Sequence, residues 1–206
     1  MPRVKVPRKS TAIDMTAMCD VAFLLLTFFI LTATSRQPEP LPVDTPSSTT
    51  QIKLPSTEIS TLTIGRGKVF FGVAGPDIRR NMLDKMSERY GVTFTETEKR
   101  RFSLMDSFGV PIESLKQVIN ADATQRNSPN FQPGIPIDSV NTNASQLHWW
   151  IYNARVATKE LTNKELRVSI KGDSKEEYPA IQKIIAMLQT QQVNKFSLIT
   201  SLEGND

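Results

Sequence analysis

The chain has 206 residues, with 25 Lys and Arg against 21 Asp and Glu and a formal net charge of +4. Lys and Arg at positions 3, 5, 8 and 9 precede the first acid, Asp14, so the whole excess sits in a short tail and the body is balanced. A balanced body lacks the phosphate-neutralising face of a nucleic-acid binder. The single Cys19 and single His148 remove intrachain disulfides, Cys-rich zinc sites and most Cys-His, Ser-His-Asp and multi-His chemistry.

From Met15 to Ala33 the chain reads MTAMCDVAFLLLTFFILTA, in which 15 of 19 residues are apolar and Asp20 carries the one charge. At about 1.5 Å rise per residue, such a run crosses the roughly 30 Å hydrocarbon core once. Arg3, Lys5, Arg8 and Lys9 precede it, whereas Arg36 beyond it is followed by Glu39 and Asp44. The positive-inside rule therefore predicts a cytoplasmic N-terminus, with the remainder of the chain on the other side. A cleaved signal peptide shares this order, but Asp20 interrupts its apolar region and Leu31-Thr32-Ala33 is a weak cleavage pattern. The run reads as a retained anchor.

A charged side chain at a helix centre costs about 2.5–3.5 kcal/mol on insertion scales, so intramembrane carboxylates face protein or water and serve a function. Asp20, Thr27 and Thr34 recur at intervals of seven and share a stripe with Thr16, while Phe and Leu side chains fill most of the remaining surface. A carboxyl group withdrawn from water disfavours its charged form and exchanges protons readily. Asp20 accordingly reads as a proton carrier. Thr27 can bond water or a partner on that route, or bond back to its own helix. One helix has no second wall, so partner helices are required. The competing reading puts Asp20 near the headgroups, six residues after Asp14, where it ends the span.

The run Ile13-Asp14-Met15-Thr16-Ala17-Met18-Cys19-Asp20-Val21 and the Leu-rich stretch after it resemble the signature of the ExbD/TolR family of biopolymer-transport proteins. The resemblance implies that Asp20 is the proton-carrying aspartate and that Asp14 and Thr16 are the polar residues at the cytoplasmic mouth. Ala17 stands where that family commonly has proline, and Cys19 where an aliphatic residue is usual. Gln51-Ile52-Lys53-Leu54-Pro55 looks like the family's juxtamembrane segment, which implies that Ile52, Lys53, Leu54 and Pro55 contact a TonB-like transducer. Leu166 to Leu202 resembles the terminal strand-helix-strand unit. No Gly-rich phosphate loop, catalytic carboxylate pair or nucleophile elbow stands out, so an enzyme is not expected and no cofactor is implied; the resemblance implies a single-pass protein of the cell inner membrane. It would act as a homodimer within a ring of ExbB/TolQ-like multi-helix subunits, and use the proton motive force to energise TonB-dependent transport.

The expected organisation is a cytoplasmic basic tail over 1–12, a transmembrane helix over 13–35, a Pro-rich periplasmic linker over 36–57, and a periplasmic α/β (α+β) domain over 58–206 with a helical insertion at about 75–146. Pro38, Pro40, Pro42, Pro46 and Pro55 make the linker extended, about 3.1 Å per residue. It is either a passive spacer or a segment that orders when the motor engages. Beyond it, Ile59 to Ile64 alternates as a strand, Gly65-Arg66-Gly67 supplies a turn, and Lys68 to Val73 is the hairpin partner. Asp77 to Arg89, Glu96 to Phe108 and Ile112 to Ile119 read as helices, and 120–143 as loop. The basic run at 99–101 adjoins Glu96 and Glu98 and reads as a solvated face.

Gln146 to Glu160 is helix-like and carries His148, Trp149, Trp150 and Tyr152. Aromatics so placed read as core, with peptide or membrane-surface binding as the alternative, and His148 reads as structural. Leu166 to Lys171 alternates as a strand. The next helix buries Tyr178, Ile181, Ile185 and Leu188, and Ser174 with Glu177 offers a capping box near Pro179. Phe196 to Thr200 closes as a strand, so this strand-helix-strand forms a right-handed parallel crossover. Three other functions compete: a TolR-like envelope-integrity subunit, a passive anchored module gripping peptidoglycan or a secreted partner, and, with less support, a MotB-like stator.

Overall fold

The computed structural model describes residues 15–33, 39–48, 57–128, 130–137, 145–174, 176 and 178–202. Outside the described residues lie the basic tail, Asp14, Thr34, the Gln51 to Pro55 segment, Pro129 and Glu177 of the expected capping box. The chain divides into two units, Met1–Gln37 and Pro38–Asp206. The first contains helix α1 (Met15–Thr32), which buries none of its residues.

The second unit is a mixed α/β domain. Strand β2 (Ile59–Gly65) pairs antiparallel with β3 (Lys68–Val73), and the Arg66-Gly67 corner between them takes positive φ at both positions, 55° and 69°. That is the turn whose twist suits a two-residue hairpin, and glycine at the second position holds it without strain. On its other side β2 pairs parallel with β4 (Arg167–Gly172), which pairs parallel with β5 (Phe196–Leu198), giving the order β3-β2-β4-β5. The expected parallel crossover between β4 and β5 is made by helix α7 (Tyr178–Thr190), with Pro179 in its first turn. A separate two-stranded pair joins β1 (Ser47–Ser48) to β6 (Ser201–Leu202).

Pleating sends Leu62, Ile64, Val69, Phe71, Val73, Val168 and Ile170 to one face of the sheet, where the helices bury them. Helix α2 (Pro76–Tyr90) contributes Ile78, Met82, Leu83 and Met86; helix α6 (Gln146–Thr162) contributes Leu147, Trp150, Ile151, Ala154 and Ala157. Trp150 is the largest fully buried side chain, and its ring meets those of Phe108 and Phe102 at centroid distances of 4.7 and 6.2 Å. The segment expected as an insertion is thus built into the one core.

That segment also closes one side of the sheet. The outward backbone of β3 is taken at three points: Ile135 N–H donates to the Val69 carbonyl at 2.9 Å, Phe71 exchanges bonds with Phe108 at 2.8 and 3.0 Å, and Arg79 Nε donates to the Val73 carbonyl at 2.7 Å. Gly109 makes this approach possible, since a Cβ there would stand 2.6 Å from the Phe70 ring. Arg79 further donates to the carbonyls of Ser103 and Met105 at 3.0 and 2.5 Å.

These bonds explain where the expected elements differ. The helix expected over Glu96 to Phe108 ends early, as α3 (Glu96–Ser103), because Arg79 captures the carbonyls just beyond it and Phe108 is needed at the β3 edge. Its start is as the residues dictate: Thr95 and Glu98 form a reciprocal capping box, and the Thr95 amide holds the Glu98 carboxylate below its ordinary range. Ile112–Ser114 is a 3₁₀ turn leading into α4 (Leu115–Asn120), and a short helix, α5 (Ala123–Arg126), interrupts the expected loop. In α7 the deepest residues are Ile184, Met187 and Leu188, with Ile181 and Ile185 half-buried against the core, so Leu188 is buried as expected and the stripe is centred about one position earlier than expected.

Candidate functional site

Helix α1 has a mean hydropathy of 2.0, and none of its 18 residues is buried. Its Phe, Leu and Ile side chains are exposed in every direction around the axis, the surface expected of a helix whose solvent is lipid or other helices. Asp20 is the sixth residue of the helix, so at about 1.5 Å per residue it lies roughly 7–8 Å in from Met15. Thr16 is one turn before Asp20 and Thr27 two turns after, which places all three on one stripe as expected. The Thr27 hydroxyl donates to the Leu24 carbonyl at 2.9 Å, and Thr32 makes a similar bond to Phe28 at 2.7 Å. Thr27 is therefore bonded back to its own helix, leaving its oxygen lone pairs to accept a bond from water or a partner. Cys19 beside Asp20 is a free, exposed thiol. Asp14, Ile52, Lys53, Leu54 and Pro55 lie outside the described residues.

The Pro-rich segment carries a feature that its composition hides. Residues 39–48 lie against the domain: Leu41 is 6% exposed and sits beside Gly65, Glu39 pairs with Lys171 at 2.5 Å, and the Ser174 amide donates to the Asp44 carbonyl at 2.8 Å. Ser47 and Ser48 then pair with Ser201 and Leu202. Nine residues from Glu39 to Ser47, within the expected 36–57 linker, are thus held as a strap. The apolar pair Leu41 and Val43, interleaved with Pro40 and Pro42, is the signal that marks a docked segment in the sequence.

On α6 the neighbouring aromatics divide. Trp150 is core, Trp149 lies half-buried beneath the Arg89 guanidinium, and Tyr152 is 45% exposed. His148 is 8% exposed, its ring edge-on to Trp149 and its Nδ1 buried without a partner. Burial, and then the Arg89 charge, push the imidazole below its ordinary value. Lys99 of the basic run pairs with Asp84 at 2.7 Å and Glu96 at 3.3 Å, and the Asp84 bond chiefly raises its proton affinity. Arg101 donates to Asn120 Oδ1 at 3.2 Å, and Arg100 and Arg101 are exposed, so beyond Lys99 the run is a solvated face as expected. Among the described residues no group of three His, Cys, Asp or Glu side chains could hold a metal ion.

The family model described as biopolymer transport protein ExbD/TolR matches residues 7–203. No curated protein and no solved structure gives a match. The matched span takes in the polar stripe of α1, the strap and the whole mixed sheet with its crossover. With one candidate membrane helix among the described residues, followed by a mixed α/β domain, the chain belongs to the ExbD/TolR family of biopolymer-transport proteins, whose members are energy-transducing subunits working with ExbB/TolQ-like and TonB/TolA-like partners.

Proposed function

We propose that the chain is an ExbD-like subunit of an inner-membrane proton-channel motor, in which protonation and release of Asp20 couple the proton motive force to TonB-dependent transport across the outer membrane. The observation that carries this reading is a lone carboxylate on a polar stripe of an otherwise apolar helix with no buried side chain. A carboxylate in that setting needs a partner surface, and proton exchange is the chemistry it can supply. Thr16, Thr27 and Asp14 line the proton route, with Thr27 acting as an acceptor. ExbB/TolQ-like helices form the second wall, a homodimer supplies two such helices, and Ile52, Lys53, Leu54 and Pro55 meet the TonB-like transducer. The N-terminus, residues 1–12, lies in the cytoplasm, 13–35 cross the membrane, 36–57 connect, and 58–206 work in the periplasm with the segment at about 75–146 built into them.

Each proton that crosses yields about 2.3 kcal/mol per 100 mV, so the motor's output vanishes with the carrier. Asp20→Asn keeps the side chain's shape and removes its proton exchange. Uptake through TonB-dependent receptors falls to the level of a strain lacking the chain, while membrane quantities of the protein stay unchanged; undiminished uptake defeats the reading. If the same substitution leaves uptake intact but produces envelope leakage, the chain serves the TolR-like role instead.

A further inference from the structure

A cleft of about 1090 Å³ opens between the second half of α6, the turn entering β4 and the start of β5. Five basic side chains line it, Arg155, Lys159, Lys164, Arg167 and Lys195, against two acids, Glu58 and Glu165. Two of the five are already engaged: Lys164 pairs with Glu58 at 3.1 Å, and Arg155 donates to the Gln191 carbonyl at 2.9 Å. Lys159, Arg167 and Lys195 are exposed, and their side chains pair with no acid among the described residues. Even with Glu165 counted against them, the cleft keeps a surplus of positive charge.

One wall of the same cleft, Phe196 and Ser197, belongs to the open side of the sheet. The β5 strand pairs with β4 and with no other described strand. Ile199 N–H donates to the Ile170 carbonyl at 2.8 Å, so positions 197 and 199 turn their amides toward β4. By strand alternation, the N–H and C=O of Phe196 and Leu198 point away from it, and the Leu198 side chain is 54% exposed. Unpaired strand backbone and unpaired cations therefore stand side by side.

We propose that this cleft captures an acidic, extended peptide segment of a partner protein, which adds as a strand to β5 and sets its carboxylates against Lys159, Arg167 and Lys195. Main-chain bonding supplies affinity and alternate side chains supply selectivity, the two components of strand addition. Positive charge around the edge selects acidic sequences over basic ones and speeds their encounter. Tyr152 at the rim offers a flat apolar surface to the residues between the acids. The assignment does not depend on Asp20, so it stands or falls separately from the proton-carrier reading.

The test uses the full-length chain in detergent and a fluorescent peptide of alternating Glu and Val. The peptide binds saturably and more weakly as salt is raised, protects the Leu198 amide from exchange, and is bound more tightly than a Lys-Val peptide of equal length. Methylating its alternate backbone nitrogens abolishes binding. Lys159→Glu with Arg167→Glu and Lys195→Glu lowers affinity roughly tenfold or more, and Lys195→Glu alone, in an exposed loop, lowers it roughly threefold. Equal binding of the Lys-Val peptide overturns the proposal, as does indifference to Lys195→Glu. A soluble peptidoglycan fragment that binds more tightly than the peptide, and loses that binding in the charge-reversed variants, would give the cleft to a glycan and also overturn it.

Discussion

Leu41→Ala probes the strap that joins the membrane unit to the domain. Leu41 is 6% exposed, on a segment also held by the Glu39–Lys171 pair, the Ser174 amide to the Asp44 carbonyl, and the short β1–β6 pairing. The substitution removes three carbons from a buried site at about 0.8 kcal/mol each, or about 2.4 kcal/mol. A surface segment can close over the gap, so no separate cavity cost is added. At about 1.4 kcal/mol per factor of ten, the strap's opening equilibrium rises about 50-fold. The assay is amide exchange at Ser174, whose N–H is held by Asp44: its rate increases by that factor in Leu41→Ala, while the Leu62 and Ile170 amides inside the sheet keep theirs. Lys171→Ala breaks a pair whose Glu39 side is 59% exposed, so it raises exchange by only about twofold to fivefold. An unchanged rate at Ser174 would refute the reasoning. So would a rise shared equally by the sheet amides, since that would make the strap part of the global unfolding unit.

Trp150→Ala empties the largest fully buried position and separates the Phe102 and Phe108 rings from α6; denaturant unfolding should show a loss of about 3–5 kcal/mol. Gly109→Ala drives a methyl group into the Phe70 ring and costs about 1–3 kcal/mol, with the largest increase in exchange at the Phe71 and Phe108 amides that the glycine brings together. His148 binds its proton less readily in the fold than in the unfolded chain, so the unfolded chain holds more protons in the window below the ordinary value of 6.5. Stability is therefore whole above about pH 6.5 and declines as the pH falls through that window, and His148→Gln removes this decline. Glu96 and Glu98 are both held below 4.5, so the stability they contribute is whole above that value and is lost at lower pH.

The candidate membrane helix and the β4-α7-β5 crossover were readable because each carries a pattern: a long run dominated by apolar residues in one, alternation and a 3.6-residue stripe in the other. Asp20 stands out in that run for the complementary reason, a charge where the pattern forbids one, and its role is the proposal made above. The closure of β3 left no such trace. Phe108 and Ile135 pair with it through single residues, and a one-residue bridge has no repeat to detect. For the same reason the helix expected to reach Phe108 was overextended: residues 104–108 have no strong helix breaker, and the competing carbonyl acceptor sites are claimed by Arg79 from more than 20 residues away. The strap was hidden by its prolines, which signal extension equally well for a free chain and a docked one. The basic cleft was illegible because Lys159, Arg167 and Lys195 are ordinary surface residues until the crossover gathers them at one end of two parallel strands.

A sheet that is sealed along β3 and open along β5 can be extended in a single direction. Polymerisation into fibres by backbone pairing requires two available sides, one to receive a neighbour and one to offer to the next. Here a second copy that docks through its own β5 terminates the growth, because the far side of each sheet is occupied by Ile135, Phe108 and Arg79 of the same molecule. The residues of the middle segment thereby guard against runaway assembly, and loosening them would turn a self-limiting contact into a template for filaments.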